Sequence, residues 1–115
     1  MPTTFPLSTY RKAGDLVFVS GQIGMKDGEL IEGGIEAETK QNIQNIASIL
    51  EGIGLSMANV VSSEVFLSSF EEDYAPMNDV YRELFREPYP ARICVGVKAL
   101  PRNAKVEIKV VASTI

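Results

Sequence analysis

The residues best suited to chemistry fall in one short run, Pro90-Ala91-Arg92-Ile93-Cys94-Val95-Gly96-Val97. Ile93, Val95 and Val97 alternate with Arg92, Cys94 and Gly96. That period of two predicts a β-strand with one aliphatic face and one chemical face. Pro90 marks the strand start, where its missing N–H costs no ladder bond. Arg92 follows, pointing away from the aliphatic residues, and its guanidinium is a planar fork matched to a carboxylate or a phosphate. On this strand alone the favoured reading is an arginine that solvates a strand end; the rest of the chain shifts that balance. Cys94 reads as a small buried hydrophobe rather than a nucleophile, because no histidine is present to activate it.

What is missing narrows the chemistry further. The 115 residues include no histidine, one cysteine and no tryptophan. Without imidazole there is no Ser-His-Asp or Cys-His nucleophile, and most zinc sites are out of reach. Any catalysis falls to carboxylates, arginine, lysine, tyrosine, hydroxyls, the one thiol or backbone groups. No glycine-rich phosphate motif occurs, so a nucleotide cofactor has no support, and neither a metal nor an organic cofactor is expected. A net charge of −4, with no Lys/Arg cluster, disfavours a nucleic-acid partner. Hydrophobic and charged contents of 45% and 23% are ordinary for a globular protein, and the length fits one domain over 1–115. The longest apolar run, Leu16 to Val19, is far too short to span a bilayer. The opening Met1-Pro2-Thr3-Thr4-Phe5-Pro6 lacks a charged n-region and an apolar h-region. With a single cysteine and so no internal disulfide, a cytoplasmic protein is expected.

The elements that must hold the Arg92 strand can be read in chain order. Ala13-Gly14-Asp15 predicts a turn joining a short polar segment, Thr9 to Lys12, to a strand from Leu16 to Val19 that continues to Ile23. Gly21 within it leaves room for something to approach the backbone, or marks a bulge. Lys26 to Glu29 is a turn. Ile35, Thr39, Ile43, Ile46, Leu50 and Ile53 then form one stripe of a 3.6-residue helix, stopped by Gly52 and Gly54. Glu36 and Glu38 lie in its first turn, where the helix dipole favours negative charge. Gln41, Asn42, Gln44 and Asn45 read as its solvent-facing side. Val60 to Ser69 is a β-branched strand, in which Glu64 reads as a carboxylate paired with a cation rather than a catalytic group. A second helix, about Asp73 to Phe85, carries Met77, Val80, Tyr81, Leu84 and Phe85 as its apolar stripe, with Asn78 beside it. Two strands close the chain, Arg92 to Lys98 and Lys105 to Ala112. In the last, Val106, Ile108 and Val110 share one face, and Lys105, Glu107 and Lys109 the other.

The order β-β-α-β-α-β-β predicts an α+β fold, a mixed sheet with both helices on one face. Arg92, Cys94 and Gly96 are expected on the uncovered face with Glu107, and a half-apolar face of that kind invites a second copy of the chain. If the last two strands pair as a hairpin with Lys98 opposite Lys105, Glu107 opposes Gly96 and Arg92 opposes Val111. The two side chains then lie about four residues apart, roughly 13 Å at ~3.3 Å per residue. One small ligand cannot touch both within a single chain.

In order and spacing, several short motifs together resemble the RidA/YjgF/YER057c/UK114 family, the reactive intermediate deaminases, over nearly the whole chain. They are Ala13-Gly14-Asp15, Val19-Ser20-Gly21-Gln22-Ile23, Val65-Phe66-Leu67, Met77-Asn78-Asp79-Val80-Tyr81, Pro90-Ala91-Arg92, and Leu100-Pro101 followed by Val106-Glu107-Ile108. The resemblance implies a chorismate-mutase-like fold and a homotrimer with three clefts between subunits. It also implies hydrolysis of 2-imino acids, such as 2-iminobutanoate and 2-iminopropanoate, to 2-oxo acids and ammonia. Older members carry the label endoribonuclease L-PSP, or translation inhibitor. By position, Arg92 matches the family's carboxylate-binding arginine and Cys94 the cysteine whose backbone N–H helps hold that carboxylate. Glu107 matches the glutamate that positions the attacking water, and Ser20 and Asn78 match residues lining the same cleft. The sequence departs from the family pattern at Phe5-Pro6-Leu7, where Leu7 stands in place of the active-site tyrosine. Gly24, Ile93 and Gly96 also replace a common proline, a small hydroxyl residue and a glutamate.

The implied reaction needs little machinery, because an imine carbon is already electrophilic. Arg92 would clamp the carboxylate and Glu107 would hold a water against the carbon. Three rival readings accompany it. A trimer of the same family that binds small carboxylates without turnover is the reading Leu7 favours. A ribonuclease is disfavoured by the acidity, the absent histidine and the absent basic patch. A stress-related holdase would rest on surface hydrophobicity.

Overall fold

The computed structural model of the chain describes residues 5–115; Met1 to Thr4, on which part of the reading of the N-terminal stretch rests, lie outside the described residues. Strand β1 (Tyr10–Ala13) turns through Gly14, at φ 61°, into β2 (Leu16–Gln22), as the Ala13-Gly14-Asp15 turn predicts. Lys26 to Glu29 is itself a small hairpin of β3 (Met25–Lys26) and β4 (Glu29–Leu30). Asp27 and Gly28, both at positive φ, form its two-residue turn. Helix α1 (Gly34–Glu51), β5 (Val60–Leu67), α2 (Phe70–Leu84), β6 (Ala91–Gly96) and β7 (Val106–Ser113) complete the chain. No helix among the described residues is long and apolar enough to cross a membrane.

Five strands form one mixed sheet in the order β1-β2-β7-β5-β6, with both helices packed on one face. The core lies between them. Thr39, Ile43, Ile46 and Leu50 of α1 are fully buried, as their spacing predicts, and so are Met77 and Phe85 at α2. Val17 and Val19 of β2, Val65 and Leu67 of β5, and Val106, Ile108 and Val110 of β7 meet them from the sheet. Each apolar side chain among these contributes about 1.5–3 kcal/mol through its burial. Gly54, at φ 80°, turns the chain at the end of α1, letting the Leu55 N–H donate to the Leu50 carbonyl at 2.9 Å.

The last two strands do not form a hairpin. β5, α2 and β6 make a strand–helix–strand unit, whose two strands pair in parallel, so β6 takes the outer edge beside β5. β7 fills the place between β5 and β2, antiparallel to both. The connection from 97 to 105 passes the end of β5: the Val97 N–H donates to the Leu67 carbonyl at 2.9 Å, and the Ser68 N–H to the Lys105 carbonyl at 3.1 Å.

The chemical face of the Arg92 strand is also reversed. Arg92, Cys94 and Gly96 are the register partners of Ser63, Val65 and Leu67, which are buried beneath the helices. They therefore face the helix layer, and Ile93, 53% exposed, lies on the open side. The physical reason is space. A Cβ at Gly96 would stand 3.0 Å from the Cβ of Phe70, where α2 begins, so the residue under the helix start must be small. Alternation alone does not say which face a helix covers.

The polar side of α1 is not all solvated either. Asn42 is 0% exposed, and its side-chain amide donates to the Gln22 carbonyl at 2.7 Å. Asn45 donates to the Met25 carbonyl at 2.9 Å, so the two asparagines tie the helix to the end of β2 and to β3. Glu38 turns inward rather than serving the helix dipole; its Oε1 accepts the Lys105 backbone N–H at 2.8 Å. Glu64 pairs with Lys109 at 3.7 Å, the role expected of it.

Candidate active site

The sequence-predicted residues fall into two groups, one on each face of the sheet. The first lies at the outer edge, where α2 passes over β6. Arg92 donates from Nη1 to Asn78 Oδ1 at 2.7 Å and from Nη2 to the Tyr74 hydroxyl at 3.4 Å. The Tyr81 ring centroid lies 4.8 Å from the guanidinium carbon. Tyr74, Asn78 and Tyr81 are spaced four and three residues apart, so one stripe of α2 presents all three to one arginine. The guanidinium opens onto a cleft of about 240 Å³, lined also by Arg82, Tyr89 and Pro90. Cys94, two residues along the same face, packs against the core, and burial pushes its thiol up despite the nearby Arg92 charge. A thiol held protonated is a poor nucleophile.

The second group lies on the open face, across β2 and β7. Glu107 is half-buried, and that burial holds its carboxyl above the ordinary carboxylate range. The room left by Gly21 is taken by this side chain, since a Cβ at Gly21 would collide with Glu107 Oε2. Ser20 sits next to Gly21, its hydroxyl donating to the Ser8 carbonyl. A groove of about 570 Å³ runs beside it, lined among others by Leu7, Arg11, Phe18 and Lys109. Leu7 is 66% exposed there, offering a branched alkyl group and no hydrogen bond.

Arg92, Asn78 and Cys94 are thus brought together, and Ser20 and Glu107 are brought together, but the two sets stay apart. Both Arg92 and Glu107 were expected on the uncovered face; only Glu107 is there. Sequence reasoning passed over Tyr74, Tyr81 and Tyr89 as site residues. The four-and-three spacing of Tyr74, Asn78 and Tyr81 carried a usable signal, but its meaning depends on β6 lying under α2. The first group can bind a planar anion through the unused N–H groups of Arg92. The second can hold a water on a carboxylate that burial keeps above its ordinary range.

The family model described as endoribonuclease L-PSP matches residues 1–114 of the chain. The 2-iminobutanoate/2-iminopropanoate deaminase of Dermatophagoides farinae is 40% identical over 109 residues, covering 90% of this chain and 84% of that protein. The crystal structure of RidA from the Antarctic bacterium Psychrobacter superposes with a TM-score of 0.90 at 37% identity, over 97% of this chain and 91% of its own. The structure of E. coli TdcF with bound serine gives 0.88 at 31% identity, over 96% and 90%.

Proposed function

The chain belongs to the endoribonuclease L-PSP family, which takes in the RidA and RutC proteins, and from that premise we propose that it hydrolyses 2-imino acids to 2-oxo acids and ammonia. The observation that carries the reading is Arg92, held by Asn78 at 2.7 Å with its remaining N–H groups open to a cleft sized for a small molecule. Its substrates would include 2-iminobutanoate and 2-iminopropanoate, the compounds for which the Dermatophagoides farinae relative is named. Arg92 takes the substrate carboxylate in a bidentate grip, and the Cys94 backbone N–H and Asn78 complete that end. Glu107, with Ser20 beside it, holds a water against the iminium carbon and accepts its proton as the new C–O bond forms. Glu107 then returns that proton to the carbinolamine nitrogen; the C–N bond breaks as the hydroxyl oxygen forms the C=O bond and gives its proton to solvent, and ammonia leaves with the 2-oxo acid.

The working form is a homotrimer of this single domain, acting in the cytoplasm, with a cleft between each pair of neighbours. Leu16, Phe18 and Ile93, all exposed on the open face, supply apolar surface for such contacts. In each cleft Arg92 of one subunit meets Glu107 of the next.

The test is ammonia release from freshly generated 2-iminobutanoate, followed with wild-type and Arg92→Ala protein. Release by the wild type and its loss in the variant is the expected result. Equal release by both would overturn the assignment. Leu7 favours a second reading, a trimer that binds small carboxylates without turnover, because it puts an alkyl group where a hydroxyl would serve the leaving group. Binding of 2-oxobutanoate with no ammonia release in the same assay is its signature.

A further inference from the structure

We infer that Tyr81 is a positioning residue for Arg92, and that it sets the aim of the guanidinium before any ligand arrives. The inference rests on the proposed carboxylate role of Arg92 for its functional meaning, but its geometry stands independently. An arginine on an edge strand has long, free torsions and loses rotamer entropy when fixed. Arg92 is exposed, so its own burial does not fix it. What lies against it is a ring that cannot move.

Tyr81 is 5% exposed and held on two sides. Its ring stacks on Phe85 at 4.0 Å between centroids, with planes 15° apart. Its hydroxyl donates to Ser63 Oγ at 3.1 Å, in the interior beneath α2. Ser63 is also the residue level with Arg92 across the β5–β6 pairing. Ser63 and Tyr81 therefore join the helix to β5 at the level of Arg92, and the ring they fix lies against the arginine. The ring face meets the guanidinium carbon at 4.8 Å, within the range of a cation–π contact. Asn78 takes one N–H and the exposed Tyr74 hydroxyl another on the helix side, and the guanidinium's remaining N–H groups line the cleft. A group held in its bound geometry beforehand loses less freedom on binding.

The first measurement needs no variant. In the wild-type protein, the Arg92 Nε–H should be ring-current shifted in the NMR spectrum and markedly more ordered than that of exposed Arg86. Tyr81→Leu should release it to the mobility of Arg86 and weaken 2-oxobutanoate binding by calorimetry roughly three- to tenfold. Tyr81→Phe, which keeps the ring and loses the Ser63 bond, should recover most of both effects while still lowering the melting temperature. A purely structural Tyr81 would make affinity track stability across the two variants. An Arg92 as mobile as Arg86 in the wild type overturns the inference even if Tyr81→Leu fails to fold. A folded Tyr81→Leu with an unchanged Arg92 signal overturns it too. If Arg92 is ordered and Tyr81→Leu frees it, yet no protein binds 2-oxobutanoate, the positioning role holds and the carboxylate reading fails.

Discussion

Arg92 and Glu107 stand on opposite faces of one sheet, on strands separated by β5. Arg92 is level with Ser63 and turns toward the helices, whereas Glu107 is level with Phe66 and turns away. Three residues along the strands and two strand spacings separate their backbones, roughly 14 Å at ~3.3 Å per residue and ~4.8 Å per strand. From there the side chains diverge. Within one chain, in this arrangement, the two groups do not converge on one small molecule.

Arg92→Ala is expected to leave the fold intact and remove carboxylate binding. The side chain is exposed at the sheet edge, so its loss should change unfolding free energy by less than about 1 kcal/mol. Its charge-assisted bonds to a ligand should contribute about 2–3 kcal/mol. Calorimetry with 2-oxobutanoate checks this, and unchanged affinity would remove Arg92 from the site.

The layered fold was legible because it rests on periodicity, which burial enforces. The stripe from Thr39 to Leu50 and the alternation of Val106, Ile108 and Val110 both face the core as read. Less of the candidate site was legible. Arg92, Asn78, Ser20 and Glu107 could be named as candidates, but their grouping could not. Grouping depends on strand order, and strand order was hidden in the parallel β5–β6 pairing, which leaves no turn signal in the sequence. The covered face of β6 was hidden for a related reason. Ile93 and Val95 look like core, yet the small Gly96 was the better clue, since only a small residue fits under Phe70. Asn42 and Glu38 were misjudged because a side chain that satisfies buried backbone looks the same in sequence as one that faces water.

Leu7→Tyr is expected to raise kcat/KM on 2-iminobutanoate. Leu7 sits on the open-face groove beside Ser20, where a phenol could donate to the departing nitrogen. A single added hydrogen bond in the transition state would contribute about 1 kcal/mol, or roughly fivefold. Steady-state kinetics on both proteins decide it, and a wild type already as fast as the variant would show that the hydroxyl is not needed.

Glu38→Gln is expected to stabilise the protein at pH 7. Glu38 is 4% exposed, and burial is the main cause that raises its carboxyl above 4.5; nearby Asp73 adds to the shift, while the Lys105 N–H and charge oppose it. A raised carboxyl pKa means the folded state binds the proton more tightly than the unfolded chain. That contribution is fully present below 4.5 and is lost as pH rises through the folded value. Glutamine keeps an oxygen for the Lys105 N–H and cannot ionise. The melting-temperature gain should therefore be largest at pH 7 and shrink toward zero near pH 4. A variant less stable than wild type at pH 7 would show that the ionised carboxylate is favoured in place.

Mixed oligomers test the shared cleft directly. Arg92→Ala and Glu107→Ala are each expected to be inactive alone, because every cleft lacks one of the two groups. Refolded together, the chains should form mixed trimers in which some clefts receive Arg92 from one subunit and Glu107 from another. Partial recovery of imine hydrolysis is the expected outcome. Random assembly of two chains in equal amounts gives a quarter of clefts both intact groups, so recovery near one quarter of wild-type activity is the upper expectation at full exchange. The opposite faces of Arg92 and Glu107 make the alternative demanding: a site within one chain would need the guanidinium to leave Asn78 and Tyr81 and cross the sheet edge. No recovery, with mixed trimers confirmed by native mass spectrometry, would establish that crossing and place the whole site in one subunit.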